Sequence, residues 1–431
     1  MNRIKQFVAV DLGSSRISVL AAEMQEDGFL KIISEESKPS DDIKCGIVEQ
    51  SSGAAFKICE LQRYLQNSAH IQEISDVSVS IGAKSMKLIA NSVSRFIAHP
   101  NIVTEKLLED MLYECKRQSE QLNVTIFEAI ALSYELDGKK VDAPLGLTGK
   151  QITAHYHLVT GSSMIKTKID DCFDRTGIRL EYTPLAVEAL STVLLDDRER
   201  EEGCALVNLG ATTTTLAIYK NRALQHLLVV PLGAKNITRD IEDLGINNAN
   251  AERLKCLKGS ALESLVLDPM AIKIPSINPE SQPVLISTKF LATIIEARLE
   301  EMLQPIFNVI DELPFPLDAG IVITGGGSKL TNIIDFFVQK TNIYTRFGNH
   351  SEWLSEDTPE KFFDPTFAQS VGTLILTNEH RKELPIQEEQ GKIIEEPKIK
   401  KKSKLGERIT NGFINFFSDD NKFENQNTAN K

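Results

Sequence analysis

The 431-residue chain is 42% hydrophobic with a formal net charge of −12, so it has room for two or three packed domains and does not suit a general nucleic-acid binder, whose phosphate contacts need a basic surface. Its six cysteines (Cys45, Cys59, Cys115, Cys172, Cys204, Cys256) include no C-x-x-C pair, a usage that suits reduced thiols in a cytosolic protein. No apolar stretch approaches the ~18 residues of a spanning helix, and the first apolar run reaches Asp11 after four residues, too short for a signal peptide.

Phe7 to Val10 read as a buried strand, Asp11 interrupts it, Gly13-Ser14-Ser15 turn the chain, and Ile17, Val19 and Leu20 resume a second strand. Such a hairpin exposes N–H groups and hydroxyls that can surround a phosphate, while its carboxylate can hold a hydrated Mg²⁺. Phe56, Ile58, Leu61 and Leu65 then fall at helical spacing within 55–65, and Val77 to Ile81 alternate as a strand. From about Ala83 to Thr160 the pattern predicts a small inserted α/β unit: a strand from Met86 to Val93, a helix from Glu105 to Gln118, and strands from Phe127 to Leu136 and from Ile152 to Val159. His155 and His157 share a face of the last strand and read as half-buried strand histidines rather than a metal pair.

After a helix at 164–172 and the run Leu185-Ala186-Val187-Glu188-Ala189-Leu190, residues Cys204 to Tyr219 repeat the first hairpin plan. Asn208 stands in the place of Asp11, followed by Gly210 and a run of threonines that includes Thr212 and Thr213. A region from Gly233 to about Leu313 ends in an amphipathic helix. A third motif, from Gly320 to Leu330, is a strand running into Gly325-Gly326-Gly327-Ser328 and a helix-like TNIIDFFVQ. Residues 379–397 are polar and charged and read as a disordered linker. Then the charge inverts at Lys398, Lys400, Lys401, Lys402 and Lys404. On a helix, Leu405, Ile409, Phe413, Phe416 and Phe417 lie within an arc of about 120°, with Arg408 on the polar side. A basic helix with an aromatic stripe suits the interface of an anionic membrane.

Two hairpins and a strand–GGG–helix in this order resemble the phosphate 1, phosphate 2 and adenosine motifs of the actin-like ATPase superfamily. The inserted unit and the strings PLGLTGKQITAHYHLVT, VVPLGAKNITRDI, AERLK and FDPTFAQSVGTLIL narrow the resemblance to the FtsA family of bacterial cell-division proteins, over nearly the whole chain to about residue 380. The resemblance implies an α/β, two-lobed actin-like (ribonuclease H-like) fold with an inserted 1C subdomain and a C-terminal amphipathic membrane-targeting helix. Lobe one (1A) is expected at 1–82 and 161–204, subdomain 1C at 83–160, lobe two (2A) at 205–232 and 314–378, its outer subdomain 2B at 233–313, and the membrane helix at 398–418.

By the same resemblance, Asp11, Gly13, Ser14 and Ser15 face the phosphates of ATP, with Asp11 holding Mg²⁺ through water. Gly210, Thr212, Thr213 and Gly233 face them from the other lobe. Glu252 and Lys255 point toward ribose and adenine, and Gly325, Gly326, Gly327 and Ser328 bring backbone to the nucleotide, helped by the N-terminus of the following helix. The family pattern has an aspartate at Asn208 and at Thr215 and glycines at Ala211, Thr212 and Ala234. An amide binds Mg²⁺ less well than a carboxylate, so binding without efficient hydrolysis is expected and no catalytic residue is assigned. The implied partners are the C-terminal peptide of the tubulin-like protein FtsZ, other copies of the chain in a head-to-tail polymer, other division proteins, and an anionic membrane surface on the cytoplasmic side at the division site. Nucleic acid is not among them. The rival readings are an actin-like pilus-assembly adaptor and an actin-fold ATPase or sugar kinase.

Overall fold

Strands buried on both faces open each half of the molecule. The computed structural model describes residues 6–383, apart from 70–73, 100, 279 and 281. β1 (Gln6–Leu12), β2 (Arg16–Met24) and β3 (Leu30–Pro39) form an antiparallel meander, and the apolar run Phe7 to Val10 is buried throughout, as a strand covered on both faces requires. A small hairpin, β4 (Ile43–Lys44) and β5 (Ile47–Val48), leads into α1 (Ser51–Ala69), and β6 (Asp76–Ser78) then runs parallel beside β1.

The inserted unit follows: β7 (Lys87–Phe96), α2 (Glu105–Gln118), β8 (Val124–Leu136), β9 (Lys139–Val141) and β10 (Gln151–Ser162). Its antiparallel sheet has the order β7-β10-β8-β9. Thr104 starts α2 by accepting from the Leu107 N–H, which supplies one of the bonds that a helix start lacks. Ile152, Ala154, Tyr156 and Leu158 alternate into a core that the unit does not share, with Met111 and Cys115 from α2. The same alternation turns His155 and His157 to the other face. There the His155 Nδ1 meets the Ser92 hydroxyl at 2.8 Å and the His157 Nδ1 meets the Leu224 carbonyl at 2.9 Å. No group of three or more metal-ligating side chains occurs among the described residues.

α3 (Met164–Thr176), β11 (Arg179–Tyr182), α4 (Ala186–Leu194) and α5 (Asp197–Glu202) complete the first half, whose sheet has the order β11-β6-β1-β2-β3. The second half starts afresh with the meander β12 (Cys204–Leu209), β13 (Thr214–Lys220) and β14 (Ala223–Val230). An outer segment holds α6 (Ala234–Glu242), α7 (Asn248–Lys258), the hairpin β15 (Ala271–Ile274) and β16 (Val284–Ser287), and the long α8 (Thr288–Asp311). β17 (Gly320–Thr324), α9 (Ile333–Thr341), β18 (Thr345–Phe347) and α10 (Ala368–Glu383) complete the described residues. The second sheet has the order β14-β13-β12-β17-β18, with β17 parallel to β12 and β18 parallel to β17. Both sheets therefore have one topology, a three-stranded meander extended by two parallel strands. This is the two-lobed actin-like architecture with an inserted subdomain.

Period-two alternation divides the second sheet between two cores. Cys204 and Leu206 of β12 and Ala217 and Tyr219 of β13 join the core of the first lobe, whereas Ala205, Val207, Leu216 and Ile218 face α8 and α9. Between the sheets lie α4 and α10. α10 is buried nearly all round from Ala368 to Asn378, and its hydroxyls turn back on their own helix, Thr373 to the Gln369 carbonyl at 2.8 Å and Thr377 to the Thr373 carbonyl at 2.7 Å.

Two local features differ from the sequence expectation. α10 continues through Glu383, five residues into the stretch read as linker. α9 begins at Ile333, two residues into the helix-like TNIIDFFVQ, after a 3₁₀ turn over Gly326–Lys329 and a left-handed Asn332 (φ 61°). The expected helix dipole is thus displaced from Gly325–Gly327. The rest of the expected linker, and the basic helix at 398–418 with Lys400, Lys401, Lys402, Lys404, Leu405, Arg408, Ile409, Phe413, Phe416 and Phe417, lie outside the described residues.

α4 and α10 pack backbone to backbone at Gly372, where a Cβ would sit 1.9 Å from the Ala189 carbonyl oxygen of α4. An added methyl has backbone in its way on a crowded helix pair, so Gly372→Ala is expected to destabilise by ~1–3 kcal/mol or more through overpacking. Urea unfolding of the two proteins measures it, and an unchanged midpoint would show that α4 and α10 do not cross this closely.

Candidate nucleotide cleft

The first hairpin turn joins β1 and β2, with Asp11 opposite Ser18 and Leu12 opposite Ile17. Its chemistry is set from the far end of the chain. The Gln369 amide of α10 donates to the Asp11 carboxylate at 3.3 Å and to the Ser80 hydroxyl at 3.0 Å. Burial pushes the Asp11 carboxyl up to about 6, partly offset by the nearby Arg16. Arg16 itself donates to the Thr366 hydroxyl at 2.9 Å and lies over the Phe367 ring. Ser14 and Ser15 use their carbonyls in the structure, Ser15 accepting from the Ser40 N–H at 3.1 Å.

The second turn joins β12 and β13 and is closed by the Gly210 N–H on the Thr213 carbonyl at 2.9 Å. Asn208 pairs across the sheet with Thr215 on one side and Thr324 on the other. Thr212 reaches the first lobe: its hydroxyl accepts from the Cys45 N–H at 3.0 Å, and its carbonyl from the Cys45 thiol at 3.5 Å. Gly233 caps α6, and its N–H donates to the Asn236 side chain at 3.0 Å. Lys235 also crosses the cleft, donating to the Ser14 carbonyl and pairing with Asp41, both at 2.9 Å.

In the third motif, Gly325 takes φ +86°, and a Cβ there would fall 2.3 Å from the Asn208 Oδ1. Both facts demand glycine. Gly327 packs against Leu209, whereas the Cβ position of Gly326 is open, with Thr366 Cγ2 nearest at 3.6 Å. Ser328 is fully buried and donates to the Gly325 carbonyl at 2.7 Å, so its hydroxyl closes its own turn. Glu252 and Lys255 share a face of α7, as their spacing implies. Lys255 is buried and donates to Glu252 at 2.7 Å, to the Thr238 hydroxyl at 2.8 Å and to the Ala234 carbonyl at 3.1 Å. Thr238 also donates to Glu252. The lysine therefore ties α7 to α6, while the Glu252 side chain keeps 47% of its surface exposed.

The structure thus brings the three motifs to one cleft and adds Cys45, Gln369, Arg16 and Lys235. The sequence expectation missed these four as site residues. Cys45 carries no local signal, since its partner lies far away in sequence, and Gln369 lies within FDPTFAQSVGTLIL, a string singled out for its resemblance but not for this residue. Lys235 lies within a string singled out for its resemblance, and its cationic side chain beside two phosphate motifs is the signal that could have found it.

A separate cavity of about 840 Å³ lies between the inserted subdomain and the two lobes. Glu128 of β8, Glu188 of α4 and Glu379 of α10 line it together with Arg200. The Glu128 Oε1 and the Arg200 Nε have no hydrogen-bond partner among the described residues. Burial holds all three carboxyls above the ordinary range, Glu188 at about 8, with Glu379 adding to the effect on Glu188.

Comparison with known proteins matches the model "Cell division protein FtsA" over residues 205–372 and "SHS2 domain inserted in FTSA" over residues 83–160. The chain belongs to the FtsA family. It is 26% identical over 384 residues to the Cell division protein FtsA of Neisseria meningitidis, covering 87% of this chain and 91% of the relative. It is 24% identical over 419 residues to that of Borreliella burgdorferi, covering 94% and 98%. Among solved structures it resembles the PilM-PilN type IV pilus biogenesis complex, with TM-score 0.61, 14% identity and coverage of 87% and 98%. It also resembles MreB 5 of Spiroplasma citri bound to AMPPNP, with TM-score 0.54, 13% identity and coverage of 88% and 98%. At such identities these two establish the actin-like fold alone. The function that follows from the family is in cell division, and a pilus-assembly role rests only on the weaker fold likeness. No helix among the described residues is long and apolar enough to cross a membrane.

The cavity carboxyls make stability depend on pH. Glu188 keeps its proton in the folded chain up to about pH 8, against an ordinary value of 4.5. The folded state then binds more protons than the unfolded one across that window, so stability falls as pH rises through it. Glu188→Gln should flatten this slope and raise Tm relative to the parent above pH 8. Thermal melts from pH 5 to 9 read it, and parallel curves for the two proteins would refute it.

Proposed function

We propose that the chain binds Mg-ATP in the cleft, assembles with copies of itself, and ties FtsZ to the cytoplasmic face of the membrane as an adaptor rather than a catalyst. The observation that carries the nucleotide half is the two hairpin turns facing one another across the lobes, bridged by Lys235 to Ser14 and by Cys45 to Thr212. Asp11 fits a hydrated Mg²⁺, since its carboxyl is buried and pushed up to about 6, the state of an anionic group short of a cation. Gly13, Ser14 and Ser15 would offer N–H groups and hydroxyls to the phosphates from one lobe, and Gly210, Thr212, Thr213 and Gly233 from the other. Gly326 leaves its backbone open to the nucleotide. Gly325, Gly327 and Ser328 hold that turn in shape, and Glu252, buttressed by Lys255, faces the ribose. Bound Mg²⁺ would neutralise charge on the phosphates. Asn208 brings an amide where a second carboxylate would orient water, so turnover below the ordinary enzymatic scale of ~1 s⁻¹ is expected.

Mg-ATP should raise Tm by binding the folded state, and Gly326→Trp should abolish the rise. Because Asp11 gains a proton as pH falls through about 6, the rise should shrink below that pH in the parent, and Asp11→Asn should lose most of it at every pH. A shift independent of both pH and Asp11 would remove Asp11 as the metal holder.

The membrane half rests on the sequence after residue 397, where lysines precede an aromatic stripe. Each buried Leu, Ile or Phe contributes ~1.5–3 kcal/mol and each lysine ~1 kcal/mol near anionic lipid, so one tail binds reversibly and a polymer of many tails binds firmly. Head-to-tail contacts of the inserted subdomain would build that polymer, and the outer segment 233–313 would capture the FtsZ peptide. Vesicle co-sedimentation with fluorescent FtsZ peptide tests the whole. The full chain should carry peptide to anionic vesicles, Phe413→Glu or Phe416→Glu should leave both in solution, and charge reversals on 233–313 should release the peptide alone. A chain lacking residues after Glu396 that still sediments fully would place the anchor elsewhere.

A further inference from the structure

The two phosphate turns carry a carboxylate, an amide and hydroxyls, but neither turn contains a cation: Gly13-Ser14-Ser15 follow Asp11, and Gly210-Ala211-Thr212-Thr213 follow Asn208. Arg16 stands just beyond the first turn, yet its guanidinium is directed to Thr366 and to the face of Phe367. Lys235 has the opposite placement. It sits in the first turn of α6, and that turn is stapled to the second hairpin by the Ala234 N–H on the Gly210 carbonyl at 3.0 Å and the Lys235 N–H on the Ala211 carbonyl at 2.8 Å. From this mount its ammonium reaches the tip of the first hairpin at the Ser14 carbonyl and the Asp41 carboxylate. One cation is thus fixed to one phosphate turn and hydrogen-bonded to the other.

Its present partners hold it weakly. Asp41 is 94% exposed and the lysine side chain 38%, so water competes for both ends of the pair. A phosphoryl group offers several charged acceptors between the same two turns, and charge-assisted bonds to phosphate are the stronger kind. Lysine serves phosphate as a point charge on a flexible stem, and here only the stem has to move.

Resting on the nucleotide reading above, we propose that Lys235 is the residue that distinguishes tri- from diphosphate: with ATP bound, its ammonium leaves Asp41 and the Ser14 carbonyl for the terminal phosphate. Through α6 it then holds the outer segment of the second lobe against the first lobe, and with ADP it returns to Asp41. Lys235 acts on the balance between two nucleotides, whereas Asp11 and the glycines act on both alike.

Calorimetry on the full chain with Mg-ATP and with Mg-ADP tests this for the parent, Lys235→Met, Lys235→Arg and Asp41→Asn, with melts of the nucleotide-free proteins to verify folding. Lys235→Met should weaken ATP by ~10-fold or more, the scale of one charge-assisted contact, and ADP by no more than ~2-fold. Lys235→Arg should restore most of the ATP preference. Asp41→Asn should keep or sharpen it, since it removes only the resting partner. Equal losses for ATP and ADP in Lys235→Met, no loss for either, or an Asp41→Asn protein that matches Lys235→Met would each overturn the inference and leave Lys235 a simple bridge between lobes. A parent chain that binds neither nucleotide would instead remove the nucleotide reading itself, and this inference with it.

Discussion

The contact between α4 and α10 is the constraint on which the rest of the structure depends. These helices lie between the two sheets, and at Gly372 their backbones come so near that any side chain would meet the Ala189 carbonyl. A crossing this tight fixes the separation of the lobes and therefore the width of the cleft. It also sets Gln369, one turn before Gly372, beside Asp11 and Ser80. The helix that joins the lobes thus also orients the carboxylate of the first phosphate turn.

The second sheet shows how a single period-two pattern serves both ends of this arrangement. Cys204 and Leu206 bury toward the joined core, while Ala205 and Val207 bury toward the outer helices. A slip of one residue in β12 would exchange these faces. It would also move Asn208 away from Gly325, whose missing side chain leaves space for the Asn208 amide. Position in the sheet and geometry of the turn are consequently set together.

Electrostatics separates two regions that are both rich in acids. In the cleft, burial pushes the Asp11 carboxyl up to about 6 against the opposing pull of Arg16, which suits a site completed by a cation. In the cavity beside the inserted subdomain, three glutamates from three different elements raise one another or are raised by burial. That subdomain has its own core and meets the lobes across this acidic lining.

The sequence by itself determined the repeated hairpins, the glycine turn, the presence of an inserted unit and the helix at 105–118, because each is written in local periodicity and in residues with special backbone freedom. It also carried the family resemblance, through strings that lie in those same segments. Only the tertiary structure decided what the polar residues do. Lys255 turned inward to bond Glu252, Thr238 and Ala234, and Ser328 closed its own turn. The delayed start of α9 followed from Asn332 in a left-handed conformation. Cys45, Lys235 and Gln369 entered the cleft because folding brought them to partners 167, 221 and 358 residues away. Hydrogen bonds between such distant groups have no periodicity, so a local pattern does not announce the pairing, even where, as at Lys235, a charge beside the phosphate motifs marks the residue.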